Sequence, residues 1–375
     1  MNTASQRSQW VDIAKAIAII AVVIGHINYN YPNYKLFPIT TLFIWLWHVP
    51  VFFIIGGFFL KDEKLLKPKS FILGKIKSLY LPILYLYIPI TLLHNTLLDI
   101  GLYDISIEYG GKYVDHWDWF ELVKRLFEAV FLAGREPALG AVWFAYVLFM
   151  ALCLISFLSF LIDRFNPRKE YFEEIRCVVL LVIATVGSIL TNLFDFTIPR
   201  FNNVLTACWL IYIGKLLIRK YNLLFDNKFL FVLSLMMVYI FAIFHGSVQL
   251  NQNKFDNIIS LTISSVAALY AIAYISKKCK GRIAHLLSII GRDSFYIMGL
   301  HLIAFKPCVL LLNLLGYQLN LAELLAPAPD IFCFILFALG GTLLPLGFIY
   351  LFRSVKTVIT NEWCGNGQTD KSEAS

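Results

Sequence analysis

The sequence predicts an all-α integral membrane protein, a bundle of about ten transmembrane helices. Three observations predict it. Hydrophobic residues make up 59% of the 375-residue chain and charged residues 15%, and the mean hydropathy is +0.71, far more apolar than a soluble globular chain. The apolar residues also gather into runs close to the ~20 residues that cross a ~30 Å hydrocarbon core. Finally, the cations collect in alternate connections between those runs.

In chain order the runs are 11–27, 42–60, 79–98, 141–162, 177–193, 204–218, 229–244, 258–275, 283–305 and 331–352. The first is followed by Gly25-His26-Ile27-Asn28, without a small-residue cleavage site, and reads as a retained span and not a signal peptide, although Arg7 precedes it. The second ends at Lys61, Lys64, Lys67, Lys69, Lys75 and Lys77, the fourth at Arg164, Arg168, Lys169 and Arg176, and the sixth at Arg219, Lys220 and Lys228. Lys277, Lys278, Lys280 and Arg282 follow the eighth, and Arg353 and Lys356 the tenth. Placing these cations inside puts both termini in the cytoplasm and leaves Lys35, Arg200, Lys254 and Lys306 outside. The formal charge of +8 is thus a topology signal and does not indicate nucleic-acid binding. The sixth and seventh runs are the shortest, and 309–325 reads as re-entrant or interfacial.

Between the third and fourth runs, segment 99–140 contains Trp117 to Phe127, an amphipathic stretch suited to the outer interface as a surface connector or half-lid. Seven cysteines without a Cys-x-x-Cys spacing read as small apolar fillers, not as metal ligands or disulfides. Residues 1–356 are expected to form one transmembrane domain and 357–375 a disordered cytoplasmic tail.

The first run holds the chemistry. Asp12, Lys15 and His26 stand in it, although an ionisable side chain in hydrocarbon costs roughly 2.5–3.5 kcal/mol and is kept where it faces a bundle interior or polar cavity. At ~100° per residue Lys15 and His26 fall about 20° apart, and Asp12 and His26 about 40° apart. The three share one stripe, with Lys15 and His26 about 16 Å apart along the axis at ~1.5 Å per residue.

These residues, Arg7 and Trp10-x-Asp12-x-x-Lys15 followed by Gly25-His26, resemble the opening span of the acyltransferase-3 family, in its fucose-4-O-acetylase-like branch. The resemblance continues through His48-x-Pro50-x-Phe52-Phe53 with Gly56 and Gly57, a basic cluster of Lys75 and Lys77 before Pro82, Trp143-Phe144, and Gly291-Arg292-Asp293-Ser294 with Tyr296 and His301. Gly56 stands where the family usually has serine, and Ser78 where a second cation is usual. The resemblance implies an O-acetyltransferase of a bacterial inner membrane. It would move an acetyl (acyl) group from cytosolic acetyl-CoA to a hydroxyl of a cell-surface polysaccharide or lipid-linked sugar, with no permanently bound cofactor.

The residues fit that chemistry. Ester formation needs a base for an alcohol proton, and imidazole is the side chain poised near neutral pH, which makes His26, backed by Asp12, the catalytic candidate. Direct deprotonation and a transient acyl-histidine are both open. A polyanionic donor calls for cations at the cytosolic mouth, which Lys15, Lys75 and Lys77 would supply. Trp143, Ser294, Tyr296, His48 and His301 are supporting candidates, and the two histidines fit a purely structural hydrogen bond equally well. His94 and His245 lie near expected outer boundaries and read as interfacial. The alternative class is a transporter or flippase, or a polymerase, of lipid-linked saccharides, with the polar stripe lining a pathway. A transporter calls for paired broken spans in two halves, and the sequence carries no such symmetry.

Overall fold

Helix is what each apolar run must become, because in hydrocarbon only a helix satisfies every backbone N–H and C=O within its own segment. The computed structural model describes residues 9–369 apart from 33–34, 106–107, 110–111, 132–133, 135, 167–169 and 199, with backbone alone for 108–109, 112–113 and 355–369. Arg7, Arg168, Lys169 and residues 370–375 of the expected tail lie outside the described residues.

Besides two short helical turns, Asp62–Leu65 and His94–Asp99, the helices are α1 (Gln9–Gly25), α2 (His48–Gly57), α3 (Pro68–Leu92), α4 (Trp119–Val130), α5 (Pro137–Phe165), α6 (Phe172–Asn192), α7 (Phe201–Lys220), α8 (Lys228–Phe244), α9 (Ile258–Lys278), α10 (Gly281–Arg292), α11 (Ser294–Leu314) and α12 (Ile331–Thr369). Among the described residues, seven of them, α3, α5, α6, α7, α9, α11 and α12, are long and apolar enough to cross a membrane. The chain is an all-helical membrane protein. Two further apolar helices are shorter: α8, and α2 together with the wide π turn Thr41–Trp45 before it.

The runs and the helices differ in four places. The third helix starts at Pro68, not at residue 79, and ends at Leu92. Pro68 is a favoured first helical residue, and the exposed lysines of the opening turns mask the helix from a hydropathy reading. The ninth run, 283–305, is two helices broken at Asp293, whose carboxylate accepts a 2.7 Å hydrogen bond from Arg353. Of the segment 309–325, the first six residues complete α11 and the rest is non-helical. α12 continues to Thr369, into the segment read as tail.

Alternation of the helices gathers the lysine-rich connections on one face and the end of α1 on the other, the His26 face. α1 is at the centre, against α2, α9, α10, α11 and α12. Close backbone approaches fix its neighbours. A Cβ on Gly57 of α2 would stand 1.8 Å from Ile211 O of α7, and one on Gly214 of α7 1.8 Å from Ile54 O, so these two helices cross backbone to backbone in the manner of small-residue membrane interfaces.

On the His26 face, β1 (Ile27–Asn28) pairs in parallel with β2 (Ala326–Pro327). Ala326 N–H donates to His26 O and Ala328 N–H to Asn28 O, both at 3.0 Å. Lys306 is a buried prop for this segment, donating to Leu321 O and Glu323 O at 2.7 Å each. α4 lies on α3 with Trp119, Phe120 and Phe127 exposed and Arg125 turned inward between Glu121 and Glu128. Its apolar side therefore faces out, as a helix against lipid does. Behind it His94 stacks on Trp117 at 3.4 Å and meets Glu136 at 3.1 Å.

Candidate active site

Side chains on a helix lean toward the preceding turn, and this brings a histidine ring to the carbonyl four residues back. Three histidines make that contact. His26 Nδ1 is 2.8 Å from Val22 O, His48 Nδ1 is 2.7 Å from Ile44 O, and His301 Nδ1 is 3.0 Å from Ile297 O and 2.9 Å from Met298 O. A carbonyl oxygen only accepts, so each Nδ1 carries the hydrogen, and in the neutral ring Nε2 keeps its lone pair. The local fold thus selects the tautomer that a base requires.

Two of these rings, His26 and His48, line a cavity of about 440 Å³. Its walls come from α1, α2, the first residues of α5 and α11, and the loop 248–251. Lys15 and Ser294 line it too, and α11 begins at Ser294, so that helix presents its amino end there. Between the charged and the imidazole ends the wall is apolar, with Phe52, Ile55, Phe144 and Leu148. The edge of Trp45 rests on His48, centroids 5.3 Å apart.

Asp12 is not on the wall. It is 4% exposed and accepts from Lys15 Nζ at 3.0 Å, one helical turn along α1. There α10 comes close enough that a Cβ on Gly291 would stand 1.7 Å from Asp12 O. The pair keeps the lysine's charge compensated while its side chain reaches the cavity. His301 also stands behind the wall, fully buried, with its ring edge against His26 and centroids 4.9 Å apart. Its Nε2 has no hydrogen-bond partner.

Of the residues expected from the sequence, the structure brings Lys15, His26, His48, Trp143 and Ser294 to one cavity, with Asp12 and His301 directly behind. Tyr296 stands apart, its ring 5.5 Å beneath Arg353. Lys75 lies over Phe71 at 5.3 Å, and Lys77 lines a separate surface hollow with Lys67 and Lys69. His48 does not serve the carbonyl that Pro50 frees, since Pro50 lies in the first turn of α2 and the ring bonds Ile44 O. The sequence reading missed Trp45, Phe295, Gln249 and Asn251. For Trp45 the signal was its position three residues before His48; the two amides sit in a polar loop that looks like any other.

Among the described residues no group of three or more His, Cys, Asp or Glu side chains is placed to hold a metal ion. Among the described side chains six cysteines are free thiols. The site offers imidazole nitrogens, one cation and a helix amino end around a mainly apolar chamber.

Comparison with known proteins finds no curated protein and no solved structure that matches the chain. The sequence model of one family, described as an acyltransferase domain, matches residues 8–347. That stretch holds α1, both cavity histidines and the whole cavity wall. The chain belongs to the acyltransferase-3 family and is a membrane acyltransferase.

Proposed function

We propose that the protein is an O-acetyltransferase that uses acetyl-CoA from the lysine-rich, cytosolic side and esterifies a saccharide hydroxyl presented from the His26 face. One observation carries the reading: a single cavity has Lys15 and a helix amino end on its wall together with a His26 whose Nε2 lone pair is the available one. The donor's anionic part would stay at the cationic end, with the thioester reaching along the apolar wall.

In the reaction the acceptor oxygen attacks the thioester carbonyl carbon while its proton passes to His26 Nε2. The C–O bond forms, the C–S bond breaks, and the thiolate leaves with the proton from Nε2, giving ester and free CoA. Val22 O, accepting from Nδ1, steadies the ring while it is charged. His48, tied in the same way, offers a second accepting nitrogen to a hydroxyl of the acceptor. The acceptor belongs to a surface polysaccharide or its lipid-linked precursor, and the membrane is a bacterial inner membrane.

The test is transfer of label from acetyl-CoA to saccharide in inside-out and right-side-out vesicles carrying wild type or His26→Ala at matched levels. Wild type labels saccharide when the donor has access to the lysine-rich face, and the variant loses roughly 10²–10⁴-fold, the usual worth of a general base. Movement of a lipid-linked saccharide across the vesicle wall without transfer of label would sink the proposal in favour of a flippase.

A further inference from the structure

Beside the cavity, on the same face, lies a second and wider hollow of about 690 Å³. It is bounded by the end of α6 and the loop from α8 to α9, and its polar lining includes Asp195, His245, Lys254 and Asp256. Gln249 lines both this groove and the catalytic cavity, so the two are neighbours across one side chain.

The loop that separates them is held rigidly. Asn253 is fully buried, with the left-handed φ of 56° that asparagine tolerates, and its Nδ2 donates to Gly187 O at 3.1 Å and Thr191 Oγ1 at 3.2 Å. Asn192 donates to Asn253 O at 3.2 Å and accepts from Phe255 N–H at 3.3 Å. Asn203 donates to Leu250 O, and Val248 N–H donates to Trp45 O at 3.1 Å. Six such amide and backbone hydrogen bonds on a connection of this size pre-organise it, and pre-organisation lowers the cost of binding.

The lining indicates the ligand's chemistry. Two carboxylates against one lysine disfavour a phosphate or any other anion, so neither the donor nor a lipid phosphate suits the groove. The same carboxylates, with Gln249 and the His245–Asp256 pair at 2.5 Å, are matched to a neutral ligand rich in hydroxyls, which donates and accepts at many points. Phe244, 76% exposed at the rim, offers an apolar face to the C–H side of a sugar ring. We propose that this groove is a second saccharide subsite: it binds the sugar unit adjoining the one acetylated, so that the acceptor lies across Gln249 with one hydroxyl reaching His26. This rests on the reading of the protein as a saccharide O-acetyltransferase.

The experiment uses the full chain in lipid nanodiscs, labelled acetyl-CoA, a panel of methyl monosaccharides, and disaccharides built on whichever of them accepts label. Wild type should prefer a disaccharide over its parent monosaccharide, and Asp195→Ala with Asp256→Ala should lower that preference roughly tenfold, through the acceptor KM, by removing hydrogen bonds to charged groups. Both side chains are exposed, and gel-filtration behaviour identical to wild type confirms a folded chain; Asp256→Asn should restore part of the preference. Transfer to saccharides with no disaccharide preference, or with a preference indifferent to the groove variants, overturns the subsite alone. No transfer from wild type to any saccharide overturns the underlying reading and the subsite with it.

Discussion

α1 and α12 are both apolar helices, yet they treat charge in opposite ways. α1 buries ten of its 17 residues, on every side, and carries Asp12 and Lys15 within it and His26 just past its end. In α12 only 33% of the apolar stretch is buried, and Arg353, at the far end of that stretch, is tied to Asp293. The difference teaches that the environment decides where an ionisable group can stand. α1 is wrapped by protein and bounds a cavity, so its polar groups meet partners, whereas α12 presents Ile335, Leu339, Leu343 and Phe348 outward as lipid-facing residues.

Substitutions at matched places break or sharpen that contrast. The largest effect is expected at Gly291, where a Cβ would stand 1.7 Å from Asp12 O, so Gly291→Ala must push α10 away from α1. Overpacking of this kind costs roughly 3 kcal/mol, and thermal melting of the purified chain should show it together with loss of transfer. A wild-type melting curve would mean the α1–α10 contact is not tight. Next comes Leu343→Arg on the outward side of α12, 44% exposed. A cation there should cost ~2.5–3.5 kcal/mol of insertion, read as a reduced inserted fraction, while the molecules that do insert keep wild-type transfer. Lost transfer per inserted molecule would place α12 within the site's influence.

The smallest effect is expected at Gly347, also on α12, where a Cβ meets nothing within 4 Å. Gly347→Ala should raise stability by roughly 0.5–1 kcal/mol through helix propensity alone, a rise of a few degrees at most in the melting temperature. A fall would show that something packs on that side of α12. Gly341 on the same helix differs, since its Cβ would come 2.6 Å from Phe305 and 2.7 Å from Val23.

The sequence reveals α1 as the centre of the site because charge in an apolar run has a steep cost, and Lys15 and His26 do meet at one cavity. Trp143 and Ser294 were readable only through family resemblance, since an aromatic or a serine at a helix start has no cost to betray it. Lys75 and Lys77 show the limit: cations next to a membrane serve topology and ligand alike, and in the structure neither lines the cavity. The break at Asp293 was hidden because α10 and α11 are both apolar enough to read as one run, and the Arg353 partner that holds the break lies sixty residues away in the chain. Gln249 and Asn251 were invisible for a related reason. Their value comes from Val248 N–H bonding Trp45 O, a contact between distant segments that no local pattern encodes.

The short parallel pairing of β1 with β2 has a consequence for biosynthesis. His26 leaves the ribosome 300 residues ahead of Ala326, whose N–H caps its carbonyl. The backbone beside His26 therefore cannot be completed while the chain is still being inserted, and α1 must wait in the bilayer for α11 to arrive with Lys306 and the segment it props. A chain stopped before Ala326 therefore lacks the strand pairing that closes the backbone beside His26.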